Sequence, residues 1–153
     1  MKYQKMIVLY SSLLYNTFMD SKYNVSKNIM YLCRYHVVWC TKYRRKVLEG
    51  EVGERLMEVV KSICEEYGIV IMNIRYAPDH VYLHLEVNPQ YGIHKAIKTI
   101  KGKSSRVLRE EFSSLRTRMP TLWTNSYFVS TLNEEPLEDI VSYICIQKKS
   151  QRN

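Results

Sequence analysis

No C-x-x-C pair occurs in this chain. Its four cysteines, Cys33, Cys40, Cys64 and Cys145, are widely spaced, so neither a zinc knuckle nor a dithiol redox motif is encoded. They read as reduced core thiols, which suits a cytoplasmic protein. Long hydrophobic runs are also missing. The apolar stretch from Met6 to Tyr15, preceded by Lys2 and Lys5, loosely imitates a secretory signal. Ser11 and Ser12 interrupt it, no small-residue cleavage site follows, and it is far too short to span a bilayer, so no membrane role is expected. There is no internal repeat and no low-complexity segment, and the glycine and aromatic pattern of an RNP1 motif is absent. Acidic residues are the scarcer charge: 15 Asp and Glu face 23 Lys and Arg, a formal net charge of +8. That excess favours a polyanionic partner.

With 153 residues, 46% of them hydrophobic, the chain fits one compact domain. Residues 1–28 are expected to be a peripheral extension and 29–153 the functional domain. Tyr31 to Cys40 is rich in β-branched and aromatic residues and reads as a strand, with the basic cluster Lys42, Arg44, Arg45 and Lys46 at its exit. Val52, Leu56, Val59, Val60, Ile63 and Tyr67 repeat at helical spacing, and Gly68 is a natural stop. A second strand is expected from Ile69 to Tyr76, then a turn at Ala77, Pro78 and Asp79.

The strand from 80 to 87, HVYLHLEV, alternates strictly. Val81, Leu83, Leu85 and Val87 point one way, and His80, Tyr82, His84 and Glu86 the other. The apolar set must cover a core, which leaves the polar set facing outward or lining a site. A second amphipathic helix follows, marked by Ile93, Ile97, Ile100, Val107, Leu108 and Phe112, with Lys95, Lys98, Lys101, Lys103, Arg106 and Arg109 along it. Tyr127 to Thr131 supplies a fourth strand. Pro136, after Glu134 and Glu135, opens a last helix to about Lys149.

The resulting order, β-α-β-β-α-β-α, predicts an α+β, ferredoxin-like (RRM-like) antiparallel sheet with helices on one face and an extra C-terminal helix. On that last helix Tyr143 and Gln147 stand four residues apart on one face, with Asp139 extending the stripe. On the 80–87 strand the outward imidazoles are ready ligands for a divalent metal. A tyrosine can attack a phosphate only if the developing charge is stabilised, which a bound metal can do.

Five blocks carry a family resemblance: YHVVWCTKYRRKVL at 35–48, PDHVYLHLEV at 78–87, IKGKSSRVLR at 100–109, LWTNSYFVSTL at 122–132 and YICIQ at 143–147. In this order they resemble the single-tyrosine HUH transposases of the insertion-sequence 200/605 type. The resemblance implies a homodimer that recognises DNA hairpins at transposon ends, cuts single-stranded DNA and becomes joined through tyrosine to a 5′ phosphate. It implies Tyr143 as nucleophile and a Mg2+ or Mn2+ ion held by His80, Gln147 and a second histidine. That histidine should fall at position 82, where this chain has Tyr82. His84, two residues on, lies about 13 Å from His80 along a regular strand at ~3.3 Å per residue, so it serves as a ligand only if the strand is distorted. Lys42, Arg44, Arg45, Lys98, Lys101, Lys103 and Arg106 are the expected nucleic-acid contacts. The alternative is a catalytically impaired or domesticated hairpin-binding protein, for which Tyr82 is the main argument.

Overall fold

In a computed structural model of the chain, residues 23–150 are described. The N-terminal stretch that imitates a signal falls outside the described residues. The chain divides into two compact units, between Leu32 and Cys33. The described part of the first is a hairpin of β1 (Asn24–Ser26) and β2 (Ile29–Tyr31), so the strand expected from Tyr31 to Cys40 is interrupted at Leu32 and Cys33.

The second unit contains β3 (Arg34–Cys40), a short 3-10 turn (Lys42–Arg44), α1 (Glu51–Glu66), β4 (Val70–Ala77), β5 (His80–Glu86), α2 (Ile93–Glu111), α3 (Ser113–Arg118), β6 (Phe128–Ser130) and α4 (Leu137–Ser150). Its four strands lie in the order β4-β5-β3-β6, and every neighbouring pair is antiparallel. This is the ferredoxin-like order, in which each β-helix-β crossover brackets a strand from the other half. The short α3 was not foreseen. Gly68 adopts φ +64 just past α1, the left-handed conformation that ends a helix at low cost to glycine.

The alternation along β5 settles which face is which. Val81, Leu83 and Leu85, with Val37 and Trp39 of β3, are fully buried beneath Leu56 and Val60 of α1 and Ile97 and Ile100 of α2. Their neighbours on the same strands face the other way. There the register sets Cys40 opposite His80, Val38 opposite Tyr82 and His36 opposite His84. A second, smaller apolar cluster forms on this face, where Val38 and Tyr82 meet Ile140 of α4, with Phe128, Tyr143 and Ile144 packed against them. The polar face of β5 is thus partly roofed by the C-terminal helix.

Candidate active site

His80 opens β5 directly after the Pro78–Asp79 turn. Its Nδ1 lies 2.7 Å from Asp79 Oδ1. A carboxylate only accepts, so Nδ1 carries a proton, and in the neutral tautomer the lone pair is left on Nε2. The Asp79 carboxylate also takes two bonds from Arg44, Nη2 at 2.7 Å and Nε at 3.2 Å. Burial works against the Asp79 charge, but the bonds from His80 and Arg44 outweigh it and hold the carboxyl below its usual range. His80 and Tyr82 line a groove of about 410 Å³ whose other wall is the Leu137, Ile140, Val141 and Ile144 side of α4.

Tyr143, on the same helix, does not line that groove and packs against the cluster of Val38, Tyr82 and Ile140. Its ring packs against Phe128, with centroids 5.9 Å apart, and its hydroxyl is buried beside Ser126. Burial pushes the phenol above the ordinary tyrosine range, against the opposing influence of nearby Ser126 and the Arg44 cation. Gln147, one turn further on, accepts a 3.1 Å bond from Ser126 Oγ through its Oε1. Tyr143 and Gln147 therefore both lie beside Ser126, while His80 lines the groove.

Position 82 has its own arrangement. Tyr82 is only 6% exposed, and its hydroxyl lies 2.8 Å from His36 Nδ1. His36 Nε2 lies 2.9 Å from the Leu132 carbonyl oxygen, which only accepts. In the neutral ring Nε2 therefore carries the proton, and Nδ1 accepts from the phenol. His84 stacks on His36 at 4.2 Å with an interplanar angle of 14°. β5 keeps an unbroken register against β3 from His80 to Glu86, and the irregularity in the sheet lies in β4, between Ile71 and Asn73. The strand is not distorted to carry His84 toward His80.

These positions decide how far the chain fits the metal that the family resemblance implies. Among the described residues no three His, Cys, Asp or Glu side chains converge as a metal cluster. Of the family's ligand set, only His80 presents a free nitrogen to the groove. The Tyr82 oxygen is directed to His36, and Gln147 is at Ser126. Within a single chain the donors do not fit the ion.

The cations differ in how they are used. Lys98 is exposed on α2, and Lys42 flanks the half-exposed ring of Tyr43, with Nζ 5.2 Å from its centroid. Arg45 bonds the Arg118 carbonyl oxygen, Lys103 pairs with Glu66 at 2.7 Å and Arg106 with Glu110 at 3.0 Å. Two of the expected phosphate contacts are turned inward. Arg44 has a side chain only 8% exposed, and Lys101 Nζ reaches the carbonyl oxygens of Thr124, Asn125 and Ser126 at 2.7, 3.2 and 3.2 Å. His36 was missed by the sequence reading. Its signal is its place opposite His84, which appears only once the β3–β5 register is known.

Comparison with known proteins agrees with this architecture. The family described as "Transposase IS200 like" matches residues 29–147. The ISDra2 transposase TnpA of Deinococcus radiodurans is 33% identical over 120 residues, covering 77% of this chain and 86% of the relative. The IS200 transposase of Salmonella typhimurium is 30% identical over 115 residues, covering 72% and 76%. A crystal structure of a Deinococcus radiodurans protein described as a transposase superposes with a TM-score of 0.74 at 32% identity, covering 81% of this chain and 97% of the other. A REP-associated tyrosine transposase bound to a REP hairpin shares the fold, with a TM-score of 0.51 at 10% identity over 78% and 68% of the two chains. Sequence family, close relatives and fold concur: the chain belongs to the IS200-like transposases.

Proposed function

We propose that this transposase binds hairpins in single-stranded DNA at transposon ends and cuts and rejoins the strand through Tyr143. The observation that carries the proposal is the placement of the tyrosine helix. α4 lies on the same sheet face that presents His80, so the nucleophile and the free imidazole nitrogen belong to one surface. In the cleavage step Tyr143 Oη bonds to phosphorus as the bond from phosphorus to the 3′ oxygen breaks. The phenolic proton passes to water, and the 3′ oxygen leaves as a hydroxyl after taking up a proton. The 5′ phosphate stays on the tyrosine. Attack by a 3′ hydroxyl on that phosphotyrosine reverses the bond changes and rejoins DNA, so no external energy source is needed.

We propose a homodimer as the working unit. Within one chain Tyr143 shares the sheet face with His80 but does not line the same groove, and a second copy offers a way to bring a tyrosine to it. Both sheet edges, β4 and β6, have a side without a strand neighbour among the described residues, so sheets can join edge to edge. A Mg2+ or Mn2+ requirement belongs to the same expectation, but the donors of a single chain do not meet it and no step here depends on it.

The second reading, an impaired hairpin-binding protein, draws on the Tyr82–His36 bond and on the buried Tyr143 hydroxyl. Incubating labelled hairpin-bearing single-stranded DNA with wild type and with Tyr143→Phe separates the two. A transposase gives a Tyr143-dependent covalent product. A binding protein retains the DNA and cuts nothing.

A further inference from the structure

Arg44 lies at a junction that a surface phosphate contact would not need. Its guanidinium donates to Asp79 Oδ2 through Nε and Nη2, and through Nη1 to the Ile144 carbonyl oxygen at 2.9 Å. Ile144 directly follows Tyr143 in α4. Asp79 in turn holds His80 through its other oxygen. One side chain is therefore one bond from the tyrosine helix and two bonds from the His80 ring.

The backbone is bent to put it there. Tyr43 and Arg44 are consecutive non-glycine residues with φ of 57° and 52°, a left-handed conformation that side chains disfavour. Such a turn persists only where other contacts over-determine it. The buried Arg44 contacts do so. The ion pair is sheltered, with side-chain exposures of 8% for Arg44 and 14% for Asp79. The planar, forked guanidinium can serve the carboxylate and the carbonyl together, which a single ammonium cannot.

We propose that Arg44 is a positioning residue for strand transfer: through Asp79 it fixes the His80 ring with Nε2 presented to the groove, and through the Ile144 carbonyl it holds the tyrosine helix against the same end of the sheet. Without the guanidinium, Asp79 is freed from one side and can rotate. His80 then loses the fixed acceptor that keeps its proton on Nδ1. The helix loses its polar anchor one residue after the nucleophile. Many other cations remain for DNA affinity.

This inference rests on the transposase reading, and the test separates the two. Full-length wild type, Arg44→Gln, Arg44→Lys and Asp79→Asn are compared in three ways: hairpin-DNA affinity, single-turnover cleavage of that DNA, and the imidazole 15N shifts of His80. In wild type His80 should show the Nδ1-protonated tautomer. Arg44→Gln should mix the tautomers and slow cleavage about tenfold or more, with affinity within about twofold, as removal of a histidine's supporting partner does. Arg44→Lys should recover part of the cleavage because its charge still holds Asp79. If Arg44→Gln does not fold, Arg44→Lys and Asp79→Asn carry the same comparison. An unchanged tautomer with cleavage near wild type overturns the proposal, and so does an affinity loss equal to the cleavage loss, which would make Arg44 a DNA contact. Should wild type itself fail to cleave, the functional reading falls, while the His80 shifts still decide whether Arg44 positions the ring.

Discussion

The phenol of Tyr82 and the imidazole of His36 form a hydrogen-bonded pair: Tyr82 Oη donates to His36 Nδ1 at 2.8 Å, and His36 donates through Nε2 to the Leu132 carbonyl oxygen at 2.9 Å. Both side chains are almost wholly buried, Tyr82 at 6% and His36 at 2% exposure. The residue standing where the family places a second histidine is thus committed to a partner in its own sheet. Tyr82→Phe keeps the ring and leaves His36 Nδ1 without its donor. Leaving a buried acceptor unpaired should cost about 1–3 kcal/mol, measured by urea denaturation. Stability unchanged within error would mean that the pair is not formed in solution.

Replacing Tyr82 by histidine addresses metal binding. The Tyr82→His side chain would stand two residues from His80 on the same face, about 7 Å away at the backbone. Two imidazoles at that spacing can share one ion. Titration calorimetry with Mn2+ should show tighter binding than wild type, since an imidazole nitrogen is a better ligand than a protonated phenol. Equal affinities, together with loss of Mn2+ binding in His84→Ala, would contradict this assignment and make His84 the ligand.

Lys101 predicts a pH effect. Burial lowers its ammonium from the usual 10.5 to about 8 while it donates to three carbonyl oxygens in the 124–126 loop. Between those two values the unfolded chain holds the proton and the folded chain releases it. Stability linked to this group therefore rises with pH from about 8 to 10.5. Lys101→Met should lack that rise, so the stability difference between wild type and variant should grow in favour of wild type across the window. A difference that is flat with pH would place the Lys101 titration elsewhere.

Among the cations, the inward-turned and the exposed should behave differently toward DNA. Lys98→Ala removes an exposed charge from α2 and should weaken hairpin binding while reducing the slope of log K against log salt by about 0.7–0.9. Lys101→Met should leave that slope unchanged. The measurement is a salt titration of affinity for the two variants, and equal slope changes would contradict the division.

How much of this could be read from residues alone varies with the kind of signal. The strict alternation of HVYLHLEV predicted the buried and open faces of β5, because a strand's period is local and one face must be apolar. Gly68 and Pro136 likewise mark element ends through their own backbone limits. The basic cluster after β3 was misleading at Arg44. Its composition suggests phosphate contacts, but two left-handed residues turn Arg44 inward to Asp79, and nothing in the local sequence signals that turn. The His36–Tyr82 pair was equally out of reach, since residues 46 positions apart meet only through the strand register. Lys101 reads as one more lysine on a basic helix until the 124–126 loop folds over it.

The central claim, that Tyr143 is the nucleophile, is tested most directly by trapping the covalent intermediate. Hairpin-bearing single-stranded DNA labelled on the 3′ side of the cut is incubated with protein, denatured, and the adduct mapped by mass spectrometry. Wild type should carry the label as a 5′-phosphotyrosine on the peptide containing Tyr143, whereas Tyr143→Phe should bind the DNA with nearly unchanged affinity and form no adduct. An adduct on another residue, or undiminished cleavage by Tyr143→Phe, would contradict the account.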